Sequence, residues 1–169
     1  WEHNLPLARN ITADEDGNPR RAIDAAAAHH NGKFYLAWKE NQTPNIAVGE
    51  SMGPGGWERL GEPGLGWFEN GQFIEIDGAI HLLATARGPE PKRDHLPHIA
   101  AMKHSGDEDA HWTQWDDFRQ FTIPEEQFNT DNRANAAFLA DWREYDGFFY
   151  LLYAGRTEGK SHLGRGDNR

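Results

Sequence analysis

Asn31-Gly32-Lys33-Phe34-Tyr35-Leu36 sets a polar-Gly turn directly before an apolar strand. The same arrangement returns at Asp77-Gly78-Ala79-Ile80-His81-Leu82 and at Asp146-Gly147-Phe148-Phe149-Tyr150-Leu151. Asn-Gly and Asp-Gly are strong hairpin signals, because a turn joining two twisted strands needs positive φ. A hairpin repeated with matching flanks means a repeat architecture. The repeat also singles out two acids. Asp24 lies eight residues before Gly32 and Glu69 nine before Gly78. Two carboxylates are therefore expected on equivalent strands of adjacent repeats, directed towards a common axis.

Working outward from the turns, the first repeat reads as strands over 21–29, 34–38, 46–50 and 57–60, with Gly53-Pro54-Gly55-Gly56 breaking the chain before the last. The second reads as 71–76, 79–86, 98–104 and 112–122, and the third as 134–141, 148–154 and 161–165. No segment sustains a helical period; residues 125–129 have room for one helical turn. The 46 residues from Gly32 to Gly78 match a four-stranded propeller blade, and the 69 from Gly78 to Gly147 match a blade stretched by polar insertions at 88–96, 105–110 and 123–132. Residues 1–11 read as a lone strand before the first full blade. The expected fold is all-β: one propeller-type domain over 1–169 with about three four-stranded antiparallel blades. Its alternative is a plain β-sandwich, whose turns also recur at short intervals. Three blades are too few for a closed ring, so the chain is expected to be a piece of a longer protein or to assemble with a second copy.

Composition narrows the function. The formal charge of −10 argues against nucleic acid, and against polyanionic glycans unless a local basic patch exists. Zero cysteines exclude disulfides and thiol catalysis. The apolar runs are too short for a membrane-spanning helix. No signal peptide is read at the first residues, and secretion or a periplasmic location is expected only if one was removed.

The stretch from Ala22-Ile23-Asp24 through Asn31-Gly32 to Tyr35-Leu36 resembles the second-blade motif of glycoside hydrolase family 43 and related five-bladed propellers. Glu69-Asn70-Gly71-Gln72-Phe73-Ile74, followed by Asp77-Gly78, resembles the third-blade motif, with Gly71 where that motif usually carries Pro. Ser51-Met52-Gly53-Pro54-Gly55-Gly56-Trp57 resembles a blade-ending stretch of the same family. The resemblance implies an inverting glycosidase acting on arabinosyl- or xylosyl-type linkages of a plant or algal polysaccharide. It makes Glu69 the general acid and Asp24 the residue that positions it and favours its protonated form by like-charge proximity. The family's general base belongs to the preceding blade. Residues 1–20 offer there one strand and the loop acids Asp14, Glu15 and Asp16, none in an Asp-Pro strand context, so the base is missing, supplied by a partner, or lost. Where the base is lost, a non-catalytic carbohydrate-binding or assembly module is the alternative. The bland reading of both acids is a strand-start Asp bonding a nearby N–H and an ordinary loop Glu.

Trp67 and Phe68 are candidates for an aromatic wall against a sugar ring, with inter-blade packing as the alternative. Arg133 and Asn135 stand at the matching place in the third blade; an arginine there suits sugar hydroxyls or a carboxylate. The histidine pairs His29-His30 and His95/His98 supply no convergent metal set, so no metal ligand or required cofactor is assigned; a structural calcium has no supporting motif.

Overall fold

The computed structural model describes residues 9–18, 20–40, 43–51, 55–87, 95–104, 111–123, 134–157 and 160–167. Polar-Gly turns do what their chemistry dictates in the first two repeats. Asn31 and Gly32, then Asp77 and Gly78, all take positive φ, and each pair closes a hairpin of two long strands. The first sheet runs β1 (Ala22–His30), β2 (Lys33–Glu40), β3 (Thr43–Gly49), β4 (Trp57–Gly61) in sequential antiparallel order. The second runs β5 (Phe68–Ile76), β6 (Ala79–Arg87), β7 (His95–Ala101), β8 (Arg119–Gln120), and the third β9 (Ala134–Asp141), β10 (Phe149–Thr157), β11 (Lys160–Asp167). Sequential meanders with β1 against β5 and β5 against β9 are propeller blades packed face to face.

Three expectations need correction. The third polar-Gly pair is not a two-residue hairpin. A helical turn α2 (Arg143–Asp146) fills the connection, and Gly147 ends it at φ 83 by donating its N–H to the Arg143 carbonyl. The fourth strand expected over 112–122 shrinks to Arg119–Gln120 plus a bridge between Met102 and Trp115. The cause is that Trp112 and Trp115 both turn into the core, the Trp115 indole N–H closing on the Trp112 carbonyl at 2.7 Å. Finally, residues 9–12 form a helical turn, α1 (Arg9–Thr12), where a strand was expected. Residues 88–94, 105–110 and 124–133, which hold most of the insertions and the expected turn at 125–129, lie outside the described residues.

Packing between blades explains the alternation within each strand. Ala26, Tyr35 and Ala37 of the first blade meet Phe68, Leu82, Ala84, Met102 and Trp112 of the second. Trp112 is central to this joint: it stacks on Tyr35 at 3.7 Å and meets Phe73 edge-on at 5.1 Å. Such pairs contribute about 0.5–1.5 kcal/mol beyond their buried area. The second joint sets Leu83, Leu96 and Ile74 against Ala134, Leu139, Leu151 and Tyr153. It also carries a polar clamp, the Gln72 side chain bonding both the N–H and the carbonyl of Leu139 at 2.8 and 2.9 Å. The other face of the first blade is covered by Ile11 on Trp38, Ala47 and Trp57.

Candidate functional site

Each innermost strand breaks register at the same place. In β1 the ladder jumps from Ile23 to Ala26, in β5 from Glu69 to Gln72, and on the β9–β10 pair between Leu152 and Ala154. The first extra residue in each bulge is left-handed: Asp24 at φ 58, Asn70 at φ 52, Ala136 at φ 50. Asp and Asn tolerate that region, and a bulge re-aims the side chains beside it. The registers make Asp24, Asn70 and Ala136 equivalent, and likewise Ile23, Glu69 and Asn135. Turn spacing, eight residues against nine, sets the two acids on equivalent strands at nearly the same offset; the ladders place them one position apart.

They nevertheless meet. Lys39 of β2, opposite Ile23 in the ladder, sends its ammonium between the two blades, 3.1 Å from Asp24 Oδ2 and 2.7 Å from Glu69 Oε2. Its side chain is only 5% exposed, and each carboxylate 21%. A cation this buried is tolerable only when paired, and here it has two partners. Lys39 was not singled out from sequence. Its signal was there: a lysine ending an apolar strand, across the ladder from the residue next to Asp24. Thr85, the corresponding residue of β6, is fully buried and accepts a hydrogen bond from the Ala136 N–H at 3.1 Å. In the first two blades the position opposite the bulge thus reaches across to the next blade.

The other candidates divide. Phe68 is 2% exposed within the inter-blade core, edge-on to Phe118, so it packs between blades and offers no wall to a sugar. Trp67 is half-buried, with Lys39 Nζ 5.0 Å from its ring centre, the Arg87 guanidinium 4.7 Å away and the His95 ring at 5.2 Å. Asn135 is placed beside the acids' strands, and its buried Oδ1 has no hydrogen-bond partner among the described residues. Arg133 lies outside the described residues. Asp14 is committed to its own turn: its carboxylate accepts the N–H of Asn18 and of Asp16, and the Asn18 bond holds it below the ordinary carboxylate value. Among the described residues no three His, Asp or Glu side chains are grouped to hold a metal ion.

No family model matches the chain, and no curated protein does. Solved structures do. The chain is similar to an endo-1,4-beta-xylanase from Bacteroides thetaiotaomicron, with a TM-score of 0.66 at 13% identity over 95% of this chain and 53% of that one. It is similar to a protein of Bacteroides ovatus described as xyloglucan PUL GH43B, with a TM-score of 0.55 at 14% identity over 87% of this chain and 27% of the other. An alpha-L-arabinofuranosidase from Lactobacillus brevis gives a TM-score of 0.57 at 12% identity over 86% and 49% of the two chains. The chain therefore spans from about a quarter to about half the length of these structures. The likeness is one of fold: consecutive blades of a β-propeller of the kind found in family-43 glycoside hydrolases.

Proposed function

We propose that this chain is the acid-bearing part of a carbohydrate-active propeller that hydrolyses arabinosyl- or xylosyl-type glycosidic bonds of a plant or algal polysaccharide with inversion. The observation that carries the reading is the convergence of Asp24 and Glu69, from the bulges of two successive blades, on one buried ammonium. In this mechanism Glu69 protonates the departing glycosidic oxygen while a second carboxylate draws a proton from the attacking water on the opposite face of the sugar. Asp24 and Lys39 orient Glu69. Lys39 occupies Oε2, so the proton for the leaving group belongs on Oε1. The names of the similar structures, a xylanase and an arabinofuranosidase, favour this class of substrate. The base carboxylate is to be sought beyond the described residues or on a partner.

A second reading, a carbohydrate-binding module without catalysis, is favoured by one feature. Lys39 holds both carboxylates in a buried ion pair, an arrangement that serves a fixed binding surface as well as a proton donor. Hydrolysis of aryl arabinofuranosides and xylosides by the wild type and by Glu69→Gln separates the two. Catalysis predicts a loss of about 10²–10⁴-fold in kcat in the variant. Sugar binding with no turnover by either protein selects the binding module.

A further inference from the structure

A row of side chains beside the acids has no part in the mechanism above. In the second blade Glu69, Thr85 and Pro97 face one another across β5, β6 and β7. Two residues along, roughly 7 Å on an extended strand, Arg87 pairs with His95 in the ladder, and Trp67 lies under the Arg87 guanidinium at 4.7 Å. A two-residue step returns to the same face of a sheet, so the Trp67–Arg87–His95 row lies on the Glu69 side. Arg87 is exposed. Lys39, the other cation on this indole, is fully engaged by Asp24 and Glu69. Arg87 makes no ion pair among the described residues, and the ion pairs of Arg20, Arg59 and Arg143 lie elsewhere.

The Arg87 guanidinium, 4.7 Å from the Trp67 ring centre, is held by a cation–π contact, and no ion pair among the described residues takes up its N–H donors. Those donors match the two oxygens of a carboxylate in forked geometry. We propose that Arg87 anchors the carboxylate of a uronic acid on the substrate, one step from the bond that Glu69 serves; this rests on the carbohydrate reading above. The net charge sets the substrate class further. A chain at −10 repels a polyanion as a whole, so the glycan is a largely neutral backbone carrying an occasional uronic acid. Arg87, seated over Trp67, is the local positive charge that such recognition requires.

The test is calorimetric titration of the chain and of its Glu69→Gln variant with a xylo-oligosaccharide bearing one glucuronic acid, with the same oligosaccharide lacking it, and with a sulfate-ester analogue. The acidic sugar is expected to bind about tenfold more tightly than the neutral one, the scale of one charge-assisted fork. Arg87→Met should erase that preference at an unchanged melting temperature, and Arg87→Lys should keep part of it. Equal affinity for the acidic and neutral sugars, no binding of either, or an Arg87→Met that weakens both alike overturns the inference. Tighter binding of the sulfate ester than of the uronate overturns the carboxylate assignment. An Arg87-dependent preference without hydrolysis keeps this inference and removes the hydrolase reading; hydrolysis of neutral substrate without preference does the reverse.

Discussion

Lys39 holds the charge balance of the inter-blade cleft, and its removal leaves two half-buried carboxylates facing each other. Removing one partner of a buried ion pair costs about 3–5 kcal/mol. With each carboxylate 21% exposed, Lys39→Met is expected near the lower end, a loss of about 3 kcal/mol measured by urea denaturation. Adding Glu69→Gln and Asp24→Asn should recover part of that loss, because the remaining groups no longer repel. His98 gives a second residue-scale prediction. Burial holds its imidazole below the ordinary value, against the opposing pull of its Nδ1–H bond to the Leu96 carbonyl. The unfolded chain therefore binds this proton more readily than the folded one. Stability should fall as pH drops below the unfolded histidine value of about 6.5, and the loss should level off below the folded value. His98→Gln should flatten that limb in melting curves recorded from pH 7 to pH 5.

At the scale of the element, the recurring bulge shapes the site more than any strand does. Ala136 takes the left-handed conformation without the local side-chain bonding open to Asp24 and Asn70, and an L-residue there costs roughly 1–2 kcal/mol. Ala136→Gly is expected to stabilise the fold by roughly 0.5–1 kcal/mol once the greater freedom of unfolded glycine is deducted; thermal denaturation checks it. The bulges also mark where the sequence stops being readable. The hairpins at Asn31-Gly32 and Asp77-Gly78 and the four strands of the first blade follow from turn chemistry and alternation. Counting back from the turn glycines, eight residues to Asp24 and nine to Glu69, already sets the two acids one position apart; what the count cannot see is the bulge that brings both to one ammonium. Lys39 escaped because alternation identifies the face of a strand, not the neighbour that covers it. Asp146-Gly147 misled for another reason: a helix C-cap and a hairpin turn ask for the same positive φ.

Across the whole molecule, the blades do not end alike. Ladder equivalence matches Ala26, Tyr35 and Ala37 of the first blade with Phe138, Tyr150 and Leu152 of the third. The first set is buried by the second blade; on the third blade Phe138 is 51% exposed and Trp142 52%, and a cavity of about 450 Å³ is lined by Trp142, Asp146, Tyr150 and Leu152. An apolar face of this kind favours association, so the chain is expected to gain mass with concentration in light scattering and Phe138→Lys to suppress the gain. The two joints also differ in kind, one aromatic and one clamped by an amide. Trp112 has its ring on Tyr35 of the neighbouring blade and is itself almost wholly buried. An indole so shielded emits towards the blue until water reaches it. The parting of the first two blades therefore carries its own optical signature, a shift in the colour of tryptophan emission that Tyr35→Ala should bring on at milder denaturant.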